Sequence, residues 1–314
     1  MQHHSSPSQG QPQVSVLMCT YNRSDLVHDA LKSWLDVDKD CCDVELVVVD
    51  NASTDDTKRV VDDMSNLHKG LFRYAYEPQS GLSNARNRGI DEAKGDIIAF
   101  VDDDVFFHSA WLRELVKIVE ANAEFDCFGG NTIPHFDGQR PDWLEDSMLH
   151  FYGATLSGSE DKQMHYPEHP FGVNMAFRRG VFTKVGVFNP NLGRIGYSLL
   201  SNEESELFYR IGQAGLKVYY SSSATVYHRV PEERITQDWL MRRSYWQGIS
   251  QIVLDTQIGK VSRIDHAKKF LFALRRFLAL RINGAIDHSE LAVSLRLQHL
   301  RGIIKQTFVE LVRP

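Results

Sequence analysis

Three consecutive aspartates, Asp102 to Asp104, follow a short apolar run in the stretch FVDDDVF. Carboxylates this close repel one another, and a carboxylate beside a buried strand is costly unless a cation compensates it. If the backbone stays extended, Asp102 and Asp104 share one face and Asp103 lies on the other. Two carboxylates on one face form half of a site for Mg²⁺ or Mn²⁺, which prefer oxygen ligands. The alternative is a solvated acidic turn or a helix cap. His228, at the end of the strand-like ATVYH, is either a third metal ligand or a structural histidine.

A second acidic pair, Glu203 and Glu204, opens the segment SNEESELFYRIG. On a helix that begins near residue 202, Glu204 shares a face with Phe208 and Ile211, so it points inward from the first turn. An inward carboxylate at a helix start is either an ordinary cap interaction or a general base. Glu204 is therefore the first candidate for a base, and Glu203 is the second.

Polar residues also follow two other strand-like runs. Asp50 ends ELVVVD, where a carboxylate can accept hydrogen bonds from a nucleobase or from ribose hydroxyls. In EPQSGLSNARNRG, Gly81 precedes a helix whose opening turns carry Arg86 and Arg88. A helix N-terminus with nearby guanidinium groups favours phosphate, whereas the alternative for Arg88 is a solvated helix face.

The elements that must position these residues alternate between strand and helix. Short β-branched or aromatic runs predict strands at 14–19, 44–50, 71–77, 96–101 and 126–131, and helical patterns lie between them at 24–36, 55–67, 82–93 and 109–122. This alternation predicts an α/β fold with a mainly parallel central sheet. In such sheets ligands bind at the carboxyl ends of the strands, where the polar residues above are expected.

The alternation stops after residue 131. Residues 132–169 form a long irregular segment with several aromatic residues, which favours a folded insert or a lid over a ligand. Helical patterns return from about 236, so a boundary near 235 followed by a helical C-terminal extension, 236–314, is expected. Residues 1–13 are rich in Ser, Gln and Pro without an apolar stretch, which predicts a disordered tail and no signal peptide.

Composition excludes several classes of protein. The chain has 314 residues, 42% of them hydrophobic, which is enough to bury a full core. A net charge of −6 gives no overall basic surface for nucleic acid. The four cysteines form no C-x-x-C spacing, so reduced thiols in a cytosolic protein are expected. No run approaches the ~20 apolar residues of a membrane-spanning helix.

Taken in order along the chain, the motifs resemble those of the family 2 glycosyltransferases, which have the GT-A fold. The matching pieces span about residues 14–231 and read VLMCTYNR, VVVDNASTDDT, SGLSNARNRG, IIAFVDDD, FGVNMAFRR, NEESELFYRIGQAGLKVYY and VYH. The resemblance implies inverting transfer of a sugar from a nucleotide donor to an acceptor hydroxyl, with Mn²⁺ or Mg²⁺ on the diphosphate. It also implies a catalytic domain at 14–235, with a nucleotide-binding half at 14–131 and an acceptor-binding half at 132–235.

The resemblance assigns roles to individual residues. Glu204 would be the general base, although the family's usual Glu-Asp pair reads Glu203–Glu204 here, which leaves Glu203 open as the base. Metal ligands would be Asp102, Asp104 and His228, of which the histidine binds metal in some members only. The residues expected to bind the donor are Thr20, Asn22, Arg23, Asp50, Ser80, Asn84, Arg86, Asp102 and Asp103. Trp143 and Asn174 are the candidates for contact with the acceptor.

Two other functions stay open at this stage. A nucleotidyltransferase would commonly show a Gly-rich, basic loop after its first strand, where this chain has CTYNRS. A non-catalytic scaffold that binds sugar nucleotides would not need Asp102, Asp104 and Glu204. For the transferase, a UDP-sugar donor and a carbohydrate or lipid-linked acceptor are expected.

The expected location is the cytoplasm. The segment 260–281 predicts a basic amphipathic helix, with Phe270, Leu274, Phe277 and Leu278 on an apolar side. Such a helix can contact the inner membrane face peripherally, or its apolar side can pack on the catalytic domain or on a partner subunit.

Overall fold

The computed structural model describes residues 12–68, 71–155, 158, 160–196, 198–259, 262–283 and 290–313. Most of the predicted tail, 1–11, and residues 260 and 261 of the predicted basic helix therefore lie outside the described residues.

The strands and helices follow the predicted order closely. The strands are β1 (Val14–Thr20), β2 (Val44–Asp50), β3 (Arg73–Tyr76), β4 (Ile97–Asp102), β5 (Val105–Phe107), β6 (Cys127–Phe136), β7 (Lys162–Met164), β8 (Asn174–Arg178) and β9 (Val218–Val230). The α-helices are α1 (Ser24–Leu35), α2 (Thr57–Leu67), α3 (Leu82–Glu92), α4 (Trp111–Ala121), α5 (Gly180–Val185), α6 (Glu203–Gln213), α7 (Gln237–Gln257), α8 (Arg263–Asn283) and α9 (Glu290–Val312), and short 3₁₀ helices form at Asp146–Tyr152 and Glu232–Arg234.

One sheet, built from strands between Val14 and Val230, forms the centre of the fold. Its strand order is β3-β2-β1-β4-β8-β6-β9-β5, with β7 paired to β9. The first four strands in this order are mutually parallel, β8 joins β4 and β6 antiparallel, and β6 and β9 are parallel. The carboxyl ends of β1, β2 and β4 therefore meet at one edge, because Thr20 pairs with Asp50 and Cys19 with Asp102.

Helices cover both faces of the sheet. The apolar residues of α1, α2 and α4 pack on one face, where Trp34 and Trp111 meet edge to face. Those of α3, α5 and α6 pack on the other face, against Phe100 and Phe177. Strands buried on both sides explain the almost continuous apolar runs VSVLMC and ELVVV.

The boundary expected between 131 and 132 falls inside a strand, since β6 continues to Phe136. The segment that follows is folded, as expected, and its apolar side chains form a third cluster with the C-terminal helices. Leu144, Met148 and Tyr152 pack there with Trp239 of α7 and Leu295 of α9. The C-terminal helices thus share a core with the insert.

The apolar side predicted for the basic helix is wrong in part. Phe270 meets Phe308 of α9, with ring centroids 6.4 Å apart, so this side of α8 packs on α9. Leu278, placed on the same side, is 50% exposed. A different set of large apolar side chains, Ile264, Leu271 and Phe272, is exposed on α8. None of the helices in the described ranges has the length and apolar character needed to span a bilayer.

Candidate active site

The site is a cavity of about 560 Å³ at the carboxyl edge of the parallel strands. β1 brings Thr20 to its wall, and β4 and the turn after it bring Asp102, Asp103 and Asp104. Glu203 and Glu204, from the first turn of α6, lie on the wall as well. The predicted acidic groups of two separate segments therefore meet in one place.

The predicted metal ligands converge. One ligand atom from each of Asp102, Asp104 and His228 lies within 4.8 Å of the others. The reason differs from the predicted one, because the strand ends at Asp102, and Asp103 and Asp104 form a turn instead of an extended strand. The turn directs Asp104 towards His228 of β9, and Asp103 pairs with Arg23 at 2.8 Å.

The charges around Asp104 favour its ionised form. Although burial opposes ionisation, His228 and then Arg23 and Arg234 hold the pKa of Asp104 well below its usual range. Arg23 lies 3.2 Å and Arg234 3.4 Å from its Oδ2. Asp104 is thus a permanent carboxylate at the pH values where an enzyme would work.

The side chains at this position fit a divalent cation. Oδ1 of Asp104 is buried and makes no hydrogen bond among the described residues, although Nε2 of His228 lies 3.1 Å away. The other ring nitrogen of His228, Nδ1, is 2.6 Å from the carbonyl oxygen of Tyr152, which orients the imidazole. An oriented imidazole and carboxylate oxygens suit Mn²⁺, and hydrogen bonding by the second ring nitrogen is typical of metal-binding histidines.

Glu203 and Glu204 form a second, separate pair. Glu203 is buried and accepts a hydrogen bond from Arg86 at 2.8 Å, while Oε1 of Glu204 accepts one from the backbone N–H of Gly172 at 3.4 Å. Asn202 precedes the helix in the left-handed region, at φ 78°, and the two glutamates that follow it line the cavity.

The two glutamates have opposite protonation tendencies. Burial and the charge of Glu204 raise the pKa of Glu203 well above its usual range. For Glu204, burial is outweighed by Arg86 and by a hydrogen bond from Glu203, so its pKa is lowered. These opposite shifts favour a protonated Glu203 and an ionised Glu204, whose charge lies close to that of Arg86.

The predicted phosphate-binding loop lines the cavity through Ser80 and Gly81. Asn51, which the sequence analysis did not single out, holds this loop: its side-chain oxygen accepts from the N–H of Gly81 at 2.7 Å, and its amide donates to the carbonyl of Gln79. Asn84 donates to the carbonyl of Ser80 instead of facing the cavity.

The two arginines of this helix have different surroundings. Arg86 is buried between Glu203 and Asp102, the latter at 3.8 Å, and lines the cavity. Arg88 pairs with Glu92 on the helix surface, in agreement with the solvated-face alternative.

Two expected donor contacts already have partners in the protein. Asp50 ends β2, but its carboxylate accepts from the backbone N–H of Ser53 at 2.9 Å and from the hydroxyl of Tyr74 at 2.8 Å, and it is not part of the cavity wall. Asn22 lies on the wall, with its side-chain oxygen accepting from the N–H of Thr54.

The two expected acceptor contacts lie outside the cavity wall. Asn174 is buried in β8, where its oxygen accepts from the indole N–H of Trp111 at 3.1 Å and its amide donates to two backbone carbonyls. Trp143 packs beside the third apolar cluster. Their polar groups and faces serve the fold, so the structure gives no support to either residue as an acceptor contact.

Several wall residues have no obvious signal in the sequence. His150 and Phe151 come from the insert, whose aromatic content suggested a role near a ligand, but Trp239 and Arg243 come from α7 and resemble ordinary helix residues. Arg194 lies in an irregular segment and Arg234 in the short 3₁₀ helix Glu232–Arg234.

The sheet has the topology of the GT-A type of sugar transferase. One cavity at its carboxyl edge holds three side chains that could bind a metal ion and a pair of carboxyl groups, as such a transferase requires. The profile of glycosyl transferase family 2 matches residues 15–186. This chain belongs to that family, as the motifs predicted, so the nucleotidyltransferase and scaffold alternatives are not favoured.

Individual relatives agree with this assignment. The glucosyl-dolichyl phosphate glucuronosyltransferase of Haloferax volcanii is 30% identical over 245 residues, which cover 77% of each chain. The mannosyltransferase PcManGT of Pyrobaculum calidifontis, solved with GDP-Man and Mn²⁺, superposes with a TM-score of 0.66 at 18% identity over 96% of this chain and 88% of its own. TarS 1-349 of S. aureus, solved with UDP-GlcNAc, gives a TM-score of 0.55 at 15% identity over 95% and 92%. At these identities the two structures establish the fold.

Proposed function

We propose that this glycosyltransferase inverts the anomeric centre and uses Glu204 as its general base. The observation that carries the proposal is that Glu204 lies on the cavity wall with a buried Oε2 that makes no hydrogen bond among the described residues. Its pKa is lowered because Arg86 outweighs burial, whereas burial and the charge of Glu204 raise the pKa of Glu203. Glu204 takes the proton of the acceptor hydroxyl as the hydroxyl oxygen attacks the anomeric carbon. The bond from that carbon to the diphosphate breaks, and its electron pair leaves with the diphosphate.

The proposed metal ligands and the residues beside them support the departing diphosphate. Asp102, Asp104 and His228 would hold a divalent cation, Mn²⁺ or Mg²⁺, which neutralises charge on the leaving group when bound. Arg23 and Arg234, both beside Asp104, add positive charge there. The loop at Ser80 and Gly81 places backbone N–H groups of a helix start on the same wall.

The donor and acceptor classes are part of the proposal. A UDP-sugar is the proposed donor. TarS was solved with such a donor, UDP-GlcNAc, whereas PcManGT was solved with GDP-Man. A lipid-linked carbohydrate is the proposed acceptor, which is supported by the relative that is named for glucosyl-dolichyl phosphate.

We also propose that the protein is cytoplasmic and contacts the membrane through α8. Ile264, Leu271, Phe272 and Leu278 are between 50% and 68% exposed on this helix. Lys268, Arg275 and Arg276 are exposed on the same helix, and the guanidinium of Arg276 lies 5.6 Å from the ring of Phe272. Apolar side chains among cations suit an anionic bilayer surface. Lys269, on the same helix, pairs with Asp255 of α7.

A transfer assay tests the proposed reaction. UDP-, GDP- and dTDP-sugars are first screened for thermal stabilisation of the protein with Mn²⁺, and the best donor is then incubated with short lipid-linked sugars. Nucleoside diphosphate release that requires an acceptor, with an inverted linkage by NMR, is expected. A retained linkage would contradict the role of Glu204, and stabilisation without transfer or hydrolysis would favour a binding protein.

A further inference from the structure

Two arginines in the cavity form no ion pair with any of the residues that the structure describes. Arg23, Arg86 and Arg234 each pair with a carboxylate of the site. Arg194 and Arg243 also line the cavity, yet among the described residues no carboxylate lies within ion-pair distance of either. Both lie outside residues 15–186, the part of the chain that the family profile matches.

Arg243 is fixed in the part of the cavity that Glu203 and Glu204 line. It is on the second turn of α7, and its Nη1 lies 3.3 Å from the carbonyl oxygen of Leu199 and 3.5 Å from Oγ of Ser201, just before α6 begins. The N–H of Ser201 donates to Ser250 of α7 at 3.1 Å, which ties this segment to the same helix. The guanidinium is therefore positioned near the glutamates by hydrogen bonds to neutral groups.

Arg194 reaches the same region from another side. Its carbonyl accepts from the N–H of Leu82 at the start of α3, and the preceding Gly193 is so close to Glu203 that an added Cβ would lie 3.4 Å from its carboxyl group. Burial first, and then the charge of Arg194, lower the pKa of Arg243 to about 10. The charges of Glu204 and Glu203 act in the opposite direction on this pKa, but neither carboxylate lies within ion-pair distance of Arg243, which is still cationic at neutral pH.

An anion bound between these groups would remove an unfavourable charge arrangement. Guanidinium groups recognise phosphate through paired N–H donors, and such contacts are strong in a partly buried site. Arg234 lies beside Asp104, one of the proposed metal ligands, where the donor diphosphate binds in the proposed reaction. The acceptor binds beside Glu204, because this base must reach the acceptor hydroxyl.

We propose that Arg243, with Arg194, binds a phosphate group of the acceptor, of the kind that links a sugar to a lipid carrier. This inference rests on the proposed function, since it takes the acceptor side from the position of Glu204. It makes Arg243 a specificity-determining residue that discriminates phosphate-bearing acceptors from neutral ones. The donor diphosphate is the other source of phosphate, and the experiment must distinguish the two.

Calorimetry on the full chain separates these sources. The protein is saturated with Mg²⁺ and the nucleoside diphosphate chosen by the donor screen, and is then titrated with octyl phosphate or with uncharged octanol. The wild type is expected to bind octyl phosphate more tightly. Arg243→Gln should weaken that binding by about 10- to 100-fold, the effect of a lost hydrogen bond to a charged group, with nucleotide affinity unchanged.

Two variants control for charge and folding. Arg243→Lys keeps a cation and should lose less affinity than Arg243→Gln, whereas Arg242→Gln, an exposed neighbour that does not line this cavity, should match the wild type. Equal binding of octyl phosphate by the wild type and Arg243→Gln would overturn the inference, as would its failure to bind the wild type. Loss of nucleotide affinity instead would assign Arg243 to the donor. Octyl phosphate binding without any sugar transfer would refute the proposed reaction but leave this subsite standing.

Discussion

Exchanging each glutamate of the pair for glutamine should give very different enzymes. Glu204→Gln removes the group that accepts the acceptor proton, so kcat is expected to fall by about 10²–10⁴-fold. Glu203 keeps its own proton, because burial and the charge of Glu204 raise its pKa. The amide of Glu203→Gln can still donate to Glu204, and its oxygen can still accept from Arg86, so we expect activity within about tenfold of the wild type.

The assay is initial-rate transfer at saturating donor, with donor affinity measured separately by calorimetry. Both variants should bind the donor as tightly as the wild type does, because neither glutamate is one of the proposed metal ligands. A loss in Glu203→Gln equal to that in Glu204→Gln would refute the assignment of protons. Full activity of Glu204→Gln would refute the base itself.

The same pair makes a prediction about stability. An acid whose pKa is raised in the folded state holds its proton more tightly there, so its contribution to stability is complete below the unfolded pKa, about 4.3, and is lost as the pH rises through the folded pKa. The free energy of unfolding of the wild type should therefore fall over this range relative to that of Glu203→Gln. Parallel pH profiles in urea denaturation would show that Glu203 is already ionised.

Three further predictions concern the metal, the membrane and the helix packing. EDTA or Asp104→Asn should weaken nucleoside diphosphate binding by at least tenfold in calorimetry, since the proposed metal sites the diphosphate; equal affinities would exclude that role. In flotation with anionic liposomes the protein should rise at low salt, and a triple Gln variant of Lys268, Arg275 and Arg276 should not; a wild type that stays down would place α8 in an interface between proteins. Gly248→Ala should lower the free energy of unfolding by about 1–3 kcal/mol, because its Cβ would lie 2.1 Å from the carbonyl oxygen of His299, whereas Gly180→Ala meets nothing within 4 Å and should be neutral in urea denaturation.

Local patterns in the sequence were sufficient for the first half of the fold. β2 has the predicted bounds, and α1, α3 and β1 differ from theirs by one residue. These segments are buried on known faces, so their periodicity reports their structure directly. The motifs also identified the acidic residues of the site, because the carboxyl ends of parallel strands meet whatever the details of packing.

Contacts between distant segments decided the remainder. The turn at Asp103 and Asp104, and not strand alternation, brings Asp104 to His228, which lies 124 positions further along the chain. Asn174 looked available for an acceptor, yet Trp111 and two carbonyls occupy its amide. Side-chain partners of this kind are chosen by packing, which local sequence does not encode.

The glutamate pair and the arginines show the same division. The sequence placed Glu203 and Glu204 side by side, but only the folded structure moves their pKa values apart: burial and the charge of Glu204 raise that of Glu203, whereas Arg86 lowers that of Glu204. Arg243 is one of two adjacent arginines in LMRRSYW; Arg242 is exposed and Arg243 enters the cavity because of how α7 docks on the segment before α6. Residue type and spacing determine which chemistry is available, whereas burial and the neighbours supplied by the tertiary structure determine which group is charged and what it faces.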